Sequence, residues 1–294
     1  MTLSYRHSIL KLLCLVILFW QRHAIAIDLI PGEIIAPNPG VKQFLVSYQL
    51  SERGDYFKNG SRFRPGTKIE SEQIQIRLGT SFDLYSLPAF IYTQLPMGNI
   101  QPSGTLSKLP GDSGTGDVSF LLAVWPYSNR DTGEYLAVGG YLTLPTGSYD
   151  ARRSSLNMGT NRISSALQVG YQRSLVRNLE WMTAVDGVWF GKNDDYGLAH
   201  VPLRQQNLYS AQNGLRYIIS DRYSLAATHF YTQGGETNLN GLDLNDPISL
   251  QRWQITGAAN FDFGRVTVQY GRDLETKNGY IETNRLIIRY GTRF

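Results

Sequence analysis

The chain ends in Tyr280-Ile-Glu-Thr-Asn-Arg-Leu-Ile-Ile-Arg-Tyr-Gly-Thr-Arg-Phe294, and alternate positions of this stretch describe two different surfaces. Tyr280, Leu286, Ile288, Tyr290 and Phe294 fall on one side, with Glu282, Asn284 and Thr292 near its ends. Thr283, Arg285, Arg289, Gly291 and Arg293 fall on the other, interrupted by Ile281 and Ile287. A period of two describes a strand with one apolar and one polar face. Aromatic residues at both ends of the apolar face suit the two interfaces of a membrane. A lone strand would leave its N–H and C=O groups unsatisfied in hydrocarbon, so earlier segments must supply the rest of a closed wall.

Segments of the same kind recur upstream. Residues 41–55 place Phe44, Val46, Tyr48 and Leu50 on one face, and residues 68–79 set Ile74, Ile76 and Leu78 against Gln73, Gln75 and Arg77. Residues 82–97 contain Pro88 and Pro96, which predict a bulge or kink because proline cannot donate to a ladder. Further strands are predicted over 116–127, 134–144, 159–173, 180–191 and 204–219, then through Tyr223, Leu225, Ala227 and Tyr231. Residues 250–263, a strand through Val266, Val268 and Tyr270, and the terminal strand bring the count to twelve. Connections alternate between long polar loops, such as 99–115, 145–158 and 234–247, and short turns. Ten residues at about 3.4 Å each, tilted by about 45°, span about 24 Å, close to the apolar band of an outer membrane. The expected fold is therefore all-β, a transmembrane antiparallel up-and-down β-barrel of about twelve strands, closed by the strand that ends in Phe294. A soluble β-sandwich would also alternate, but aromatics at the ends of so many strands argue against it.

Composition agrees with a barrel wall: the 294 residues include 18 Tyr, 29 Gly and one Cys, and 18% are charged. Arg6, His7 and Lys11 give a basic start, residues 12–20 form an apolar run too short to span a bilayer, and Ala24-Ile-Ala26 is an A-x-A cleavage site. Residues 1–26 are thus expected to be a cleaved signal peptide. Its removal takes away Arg6, Lys11, Arg22 and Cys14, lowering the formal charge from +4 to +1. A thiol-free remainder suits an oxidising compartment, and its charge gives no reason to expect a nucleic-acid partner. Residues 27–40, with Pro31, Gly32, Pro37, Asn38 and Pro39, exclude regular structure. They are expected to be a periplasmic leader or a short plug in the lumen, ahead of a barrel over 41–294. Both mature termini then face the periplasm.

Gly114-Thr-Gly116-Asp117 begins the fourth strand, and Leu144-Pro145-Thr146-Gly147 closes the fifth. With the N-terminal segment and a terminal Phe294 similar to the C-terminal insertion signal of outer-membrane barrels, these motifs resemble the family called meta-pathway of phenol degradation. The likeness covers most of residues 27–294 by layout, through few and glycine-dominated motifs. It implies a bacterial outer-membrane barrel of twelve or a similar number of strands and a role in transporting aromatic or other hydrophobic compounds. It implies no catalytic residues. Outer-membrane lipid, the assembly machinery and a small-molecule solute are the expected partners, and the oligomeric state stays open. Physically, Gly114, Gly116, Asp117, Pro145, Thr146 and Gly147 read as rim features where a strand bends or pairing ends.

The phases predict which side chains face the lumen. Arg77, Asp186, Arg216, Arg252, Arg265, Arg285 and Arg289 are the charged candidates, accompanied by Gln168, Gln212 and Gln254. Trp125, Met182, Phe190 and Phe230, with Leu45, Leu121 and Val188, are the apolar ones. An arginine excess suits anions or a charge network that rigidifies the wall; an apolar lining suits a greasy solute. A slip of one residue at a bulge would turn any of these to lipid. The reading is passive uptake of small hydrophobic or aromatic compounds. The alternatives are a general polar porin, or a closed structural or adhesive barrel that binds partners through its long loops. Hydrolysis would need a serine near an oriented histidine, and neither His200 nor His229 is followed by serine two residues later. Asn193-Asp-Asp195 and Asp243-Leu-Asn-Asp246 lack EF-hand spacing, and no Walker or dinucleotide motif occurs. No enzymatic activity, metal or cofactor is expected.

Overall fold

In a membrane, strands that are greasy toward lipid can keep a wet second face only if the sheet closes around an interior. In a computed structural model, which describes residues 27–294, they do so. The wall strands are β1 (Lys42–Lys58), β2 (Thr67–Leu84), β3 (Leu87–Gly104), β4 (Val118–Asn129), β5 (Glu134–Leu144) and β6 (Ser164–Val176). They continue as β7 (Leu179–Phe190), β8 (Leu208–Ile218), β9 (Tyr223–Gly234), β10 (Ile248–Phe261), β11 (Gly264–Thr276) and β12 (Gly279–Arg293). Each pairs antiparallel with its neighbours in chain order, and β12 returns to β1 with Gln43 opposite Arg293 and Leu50 opposite Leu286. The twelve-strand wall is closed, so it has no free edge. The expected signal peptide, with Cys14, lies outside the described residues.

Burial alternates with the ladder. Along β1 Leu45, Ser47, Gln49 and Ser51 are buried while Leu50 is exposed, and along β9 Ala226, Thr228, Phe230 and Thr232 are buried between exposed Leu225 and Tyr231. Exposed large apolar residues such as Leu78, Leu122, Val185, Leu215, Ile255 and Ile288 stand around the outer face.

The terminal strand departs from a single period. Leu286 and Ile288 face outward, but Tyr280 and Glu282 are buried in the interior, although all four share parity. The β1–β12 register shifts at Arg53, and the β11–β12 ladder stops at Arg285, so the strand changes phase between Glu282 and Arg285. A bulge turns two residues against one and re-aims everything beyond it. Tyr280 therefore packs edge-on against Tyr56, 5.0 Å between ring centroids, instead of meeting lipid.

The proline-containing strand also differs from expectation. It extends to Gly104 and pairs with β2 without a register shift, Pro88 opposite Asp83 and Pro96 opposite Gln75. The discontinuity is on its other side: the ladder to β4 covers only Ala89 to Gln94, and Met97 to Ile100 pair instead with a short strand, Asp112–Thr115. Much of the expected loop over 99–115 is thus sheet. Two other loops are ordered as well: Asn193–Tyr196, Val201–Gln205, Thr237–Leu239 and Leu242–Asp243 form a small sheet beyond the wall, around Tyr196 and Leu203.

Candidate functional site

Residues 27–40 run inside the wall, as their partners show: they contact β2, β4, β6, β8, β10, β11 and β12, which lie all round the circumference. The segment enters at the short-turn end, where the Val41 N–H donates to Ser81 Oγ (3.0 Å) and the Gly40 N–H to the Ser81 carbonyl (2.8 Å). Deeper in, Ile30-Pro-Gly-Glu33 makes a tight turn with the Glu33 N–H donating to the Ile30 carbonyl at 2.9 Å. Proline second and a left-handed glycine third (φ +92°) are what a type II turn requires. The turn projects Glu33 to the wall, where Oε1 accepts from Arg77 Nη1 at 2.9 Å. Gln212 grips the last stretch with both ends of its amide: Oε1 accepts from the Leu29 N–H (3.1 Å), and Nε2 donates to the Ile27 carbonyl. Gln168 Nε2 donates to the same carbonyl at 2.8 Å.

Charge inside the wall is arranged in clusters. Asp28 accepts from Arg252 and forms an ion pair with Arg285 at 3.0 Å, and its side chain is 10% exposed. Arg285 also faces Glu282 at 3.9 Å, Glu282 lies 4.0 Å from Arg53, and Asp273 accepts the Glu282 N–H at 2.7 Å. This cluster matches three arginines, Arg53, Arg252 and Arg285, with three carboxylates, Asp28, Asp273 and Glu282. Buried charges are tolerated when paired in this way. A separate pair, Arg216 with Glu180 at 3.0 Å, lies toward the short turns. Asp186 is 5% exposed and is contacted by Gln168 at 3.3 Å, while its other oxygen has no hydrogen-bond partner among the described residues.

Apolar side chains inside the wall gather in separate clusters, one around Ala166, Val188 and Leu208 and another around the inner segment. Ile34 and Ala36 of the inner segment pack against Tyr92, Leu121, Ala123, Trp125, Tyr135 and Met182. Ile34 is 2% exposed, a burial that contributes about 2 kcal/mol. Trp125 Nε1–H donates to the Ile34 carbonyl at 2.7 Å, so the indole both packs the segment and satisfies its backbone. Between the segment and the wall remains a cavity of about 460 Å³, lined by Leu45, Phe90, Tyr92, Leu121, Arg265 and Arg289 among others.

Of the residues expected inside, Arg77, Arg252 and Arg285 thus meet the inner segment's carboxylates, and Arg265 Nη2 donates to the Pro31 carbonyl at 3.0 Å. Arg289 lines the cavity without an ion pair among the described residues. Phe230 is buried under the Arg252 guanidinium, 4.2 Å from its ring centroid. Phe190 lies at the long-loop end, half-buried against the cluster of Ala166, Val188 and Leu208, with Arg162 4.4 Å above its ring. The two histidines are not brought together: His200 touches Asp195 in a loop, and His229 faces outward beside Gln251. No cluster of metal-ligating side chains occurs among the described residues.

Arg53, Asp273 and Glu282 were not among the expected interior residues. Asp28 and Glu33 carried a usable signal, being the two acids in a proline-rich leader ahead of an arginine-rich wall.

The family model described as putative MetA-pathway of phenol degradation matches residues 50–290. The chain belongs to this family. An outer-membrane channel from Pseudomonas putida F1 is similar in structure, with 30% identity and a TM-score of 0.87 over 91% of this chain and 100% of that one. The β domain of the Bordetella autotransporter BrkA (11% identity, TM-score 0.54, 87% and 100% covered) shares the fold. So does the translocator domain of the autotransporter NalP from Neisseria meningitidis (12%, 0.53, 90% and 92%). No curated protein matches the sequence. Fold and family together place the chain in the outer membrane, among channels.

The motifs that resemble the phenol-degradation family form a clamp at the long-loop rim. Asp117 accepts the Gly147 N–H (2.9 Å) on one oxygen and the Thr160 N–H (2.8 Å) on the other. Thr146 Oγ1 accepts the Val118 N–H at 2.9 Å, just after Pro145 ends β5. A Cβ on Gly147 would lie 2.6 Å from the Gly116 carbonyl carbon and 2.8 Å from Gly159 Cα, so three backbones touch where only glycine fits. Gly114 likewise presses on Ser148, 2.1 Å from its Oγ to a Cβ position.

Proposed function

We propose that this barrel lets small hydrophobic or aromatic molecules pass the outer membrane passively, with residues 27–40 as a displaceable plug. The observation that carries the reading is the interior apolar cluster: Tyr92, Leu121, Trp125 and Met182 offer a greasy surface in contact with the plug. Displacing Ile34 and Ala36 would uncover it for a solute of the same polarity. Channel membership in the family supports conduction, and the solute class is supported by the lining. In this reading residues 1–26 are removed on export, the assembly machinery inserts the strands, and both ends of the mature chain face the periplasm.

The test is single-channel conductance of the purified protein in a planar bilayer, followed by uptake of a labelled aromatic solute into liposomes. Deleting residues 27–40 should raise conductance, and uptake of the aromatic solute should exceed that of a sugar of equal size. Steady ohmic conductance from the intact protein with no preference for the aromatic solute would favour a general polar porin. Silence in both assays, with and without the deletion, would leave a structural barrel whose ordered loop sheet serves as a binding surface.

A further inference from the structure

Charge is unevenly distributed along the interior. The cluster around Asp28 is balanced, three arginines against three carboxylates. Nearer the short turns, Arg77, Arg265, Arg289 and Arg293 line the cavity; of the interior carboxylates that line it, Glu33 is engaged by Arg77, and Asp28 by Arg252 and Arg285. The third acid that lines it, Asp262, belongs to the turn after β10 and makes no ion pair among the described residues. Arg265, Arg289 and Arg293 have no ion pair among the described residues, and Arg289 Nη1 and Arg265 Nε are buried without a hydrogen-bond partner.

Register makes this a compact array. Arg265 lies opposite Gly291 and Thr267 opposite Arg289, so Arg289 and Arg293 are the two diagonal neighbours of Arg265 across the β11–β12 ladder. Such neighbours stand about 7–8 Å apart. Gly291 contributes no side chain between them, which leaves room directly in front of the Arg265 position. Like charges at that spacing repel unless an anion sits among them, and guanidinium groups suit a carboxylate because they bind it bidentately. Across the same cavity the wall is aromatic and aliphatic, with Phe90, Tyr92 and Leu121. A cavity of about 460 Å³ is of the size that holds small molecules.

We propose that the space between the plug and β11–β12 is a binding site for an amphipathic anion, a small carboxylate with an apolar or aromatic body. A bare inorganic anion would answer the arginines and leave the aromatic wall without a purpose; a neutral aromatic would do the reverse. The carboxylate lies on Arg265 and Arg289, with Arg293 at the mouth, and the body rests on Phe90, Tyr92 and Leu121. The inference rests on the reading that the interior accepts solutes, and it names their class.

The test is calorimetric titration of the protein purified from outer membranes in detergent, with benzoate, benzyl alcohol and phosphate as probes. Benzoate should bind at least about tenfold more tightly than benzyl alcohol, as charge-assisted bonds to arginine imply. Arg289→Gln should remove that tenfold and leave benzyl alcohol unaffected, and Arg265→Gln should do the same if the first variant fails to fold. Equal binding of benzoate and benzyl alcohol overturns the proposal, as does phosphate binding as tightly as benzoate. Full retention of benzoate affinity in both folded variants also overturns it. Binding in detergent is independent of passage: a protein that holds benzoate but fails liposome uptake keeps this site and loses the transport reading.

Discussion

Removing the carboxylate of Asp28 should release the plug. Asp28 is held between Arg252 and Arg285, and the cluster is balanced only while it is present. In Asp28→Ala the docked state keeps both guanidinium groups inside the wall, with Arg285 left to Glu282 at 3.9 Å and Arg252 to the face of Phe230. Removing one partner of a buried pair costs about 3–5 kcal/mol, and the alternative contacts argue for the lower end. With the plug displaced, the arginines meet water in wild type and variant alike, so the loss falls almost wholly on docking. About 3 kcal/mol corresponds to a shift of about two powers of ten in the docked-to-displaced ratio. The assay is the open-time fraction of single channels at fixed salt, which should rise by about that factor until it saturates. Asp28→Asn, which keeps an acceptor without the charge, should give a smaller rise. An open fraction unchanged in Asp28→Ala, alongside a clear increase when residues 27–40 are deleted, would refute the claim that this ion cluster holds the plug.

Three further outcomes are expected. Trp125→Phe keeps most of the packing but leaves the buried Ile34 carbonyl without its donor, a cost of about 1–3 kcal/mol, so the open fraction should rise about tenfold or more. Gly147→Ala places a methyl 2.6–2.9 Å from backbone atoms of Gly116, Asp117 and Gly159, which cannot yield as a flexible side chain would. It should lower the heat-modification temperature on gels by an amount equivalent to about 1–3 kcal/mol or more, and an unchanged temperature would show the rim to be slack. Burial raises the carboxyl of Asp246 above its ordinary range, against the opposing bonds from the Thr237 N–H (2.8 Å) and hydroxyl (2.7 Å). A folded pKa above the unfolded one means that this contribution is full below the unfolded value and is lost as pH rises through the folded one. Protection factors of the Thr237–Leu239 amides, which correct for base catalysis of exchange, should therefore be higher in mild acid than at neutral pH, and Asp246→Asn should abolish the difference.

Local alternation was enough to read the fold, because a period of two depends only on neighbours along the chain. The strand order needed nothing more: short turns and loops force consecutive strands to pair, and closure by the terminal strand follows from the absence of a tolerable edge in lipid. The same reading failed at Tyr280 and Glu282, because a bulge is a relation between two strands and leaves no mark in one of them. It also misjudged residues 99–104 and 112–115, where a segment that reads as a loop from its glycines and prolines extends one strand and adds a short partner to it.

The sequence by itself determined a twelve-strand closed wall with greasy outer positions and arginine-rich inner ones, since side-chain order along a strand dictates its two faces. Tertiary structure alone decided where residues 27–40 lie and which charges meet. Asp28 and Arg252 are separated by 224 positions, and no local pattern brings such groups together. Their meeting depends on a barrel narrow enough for one chain segment to touch seven of its strands at once, a property of the closed wall and of no strand within it.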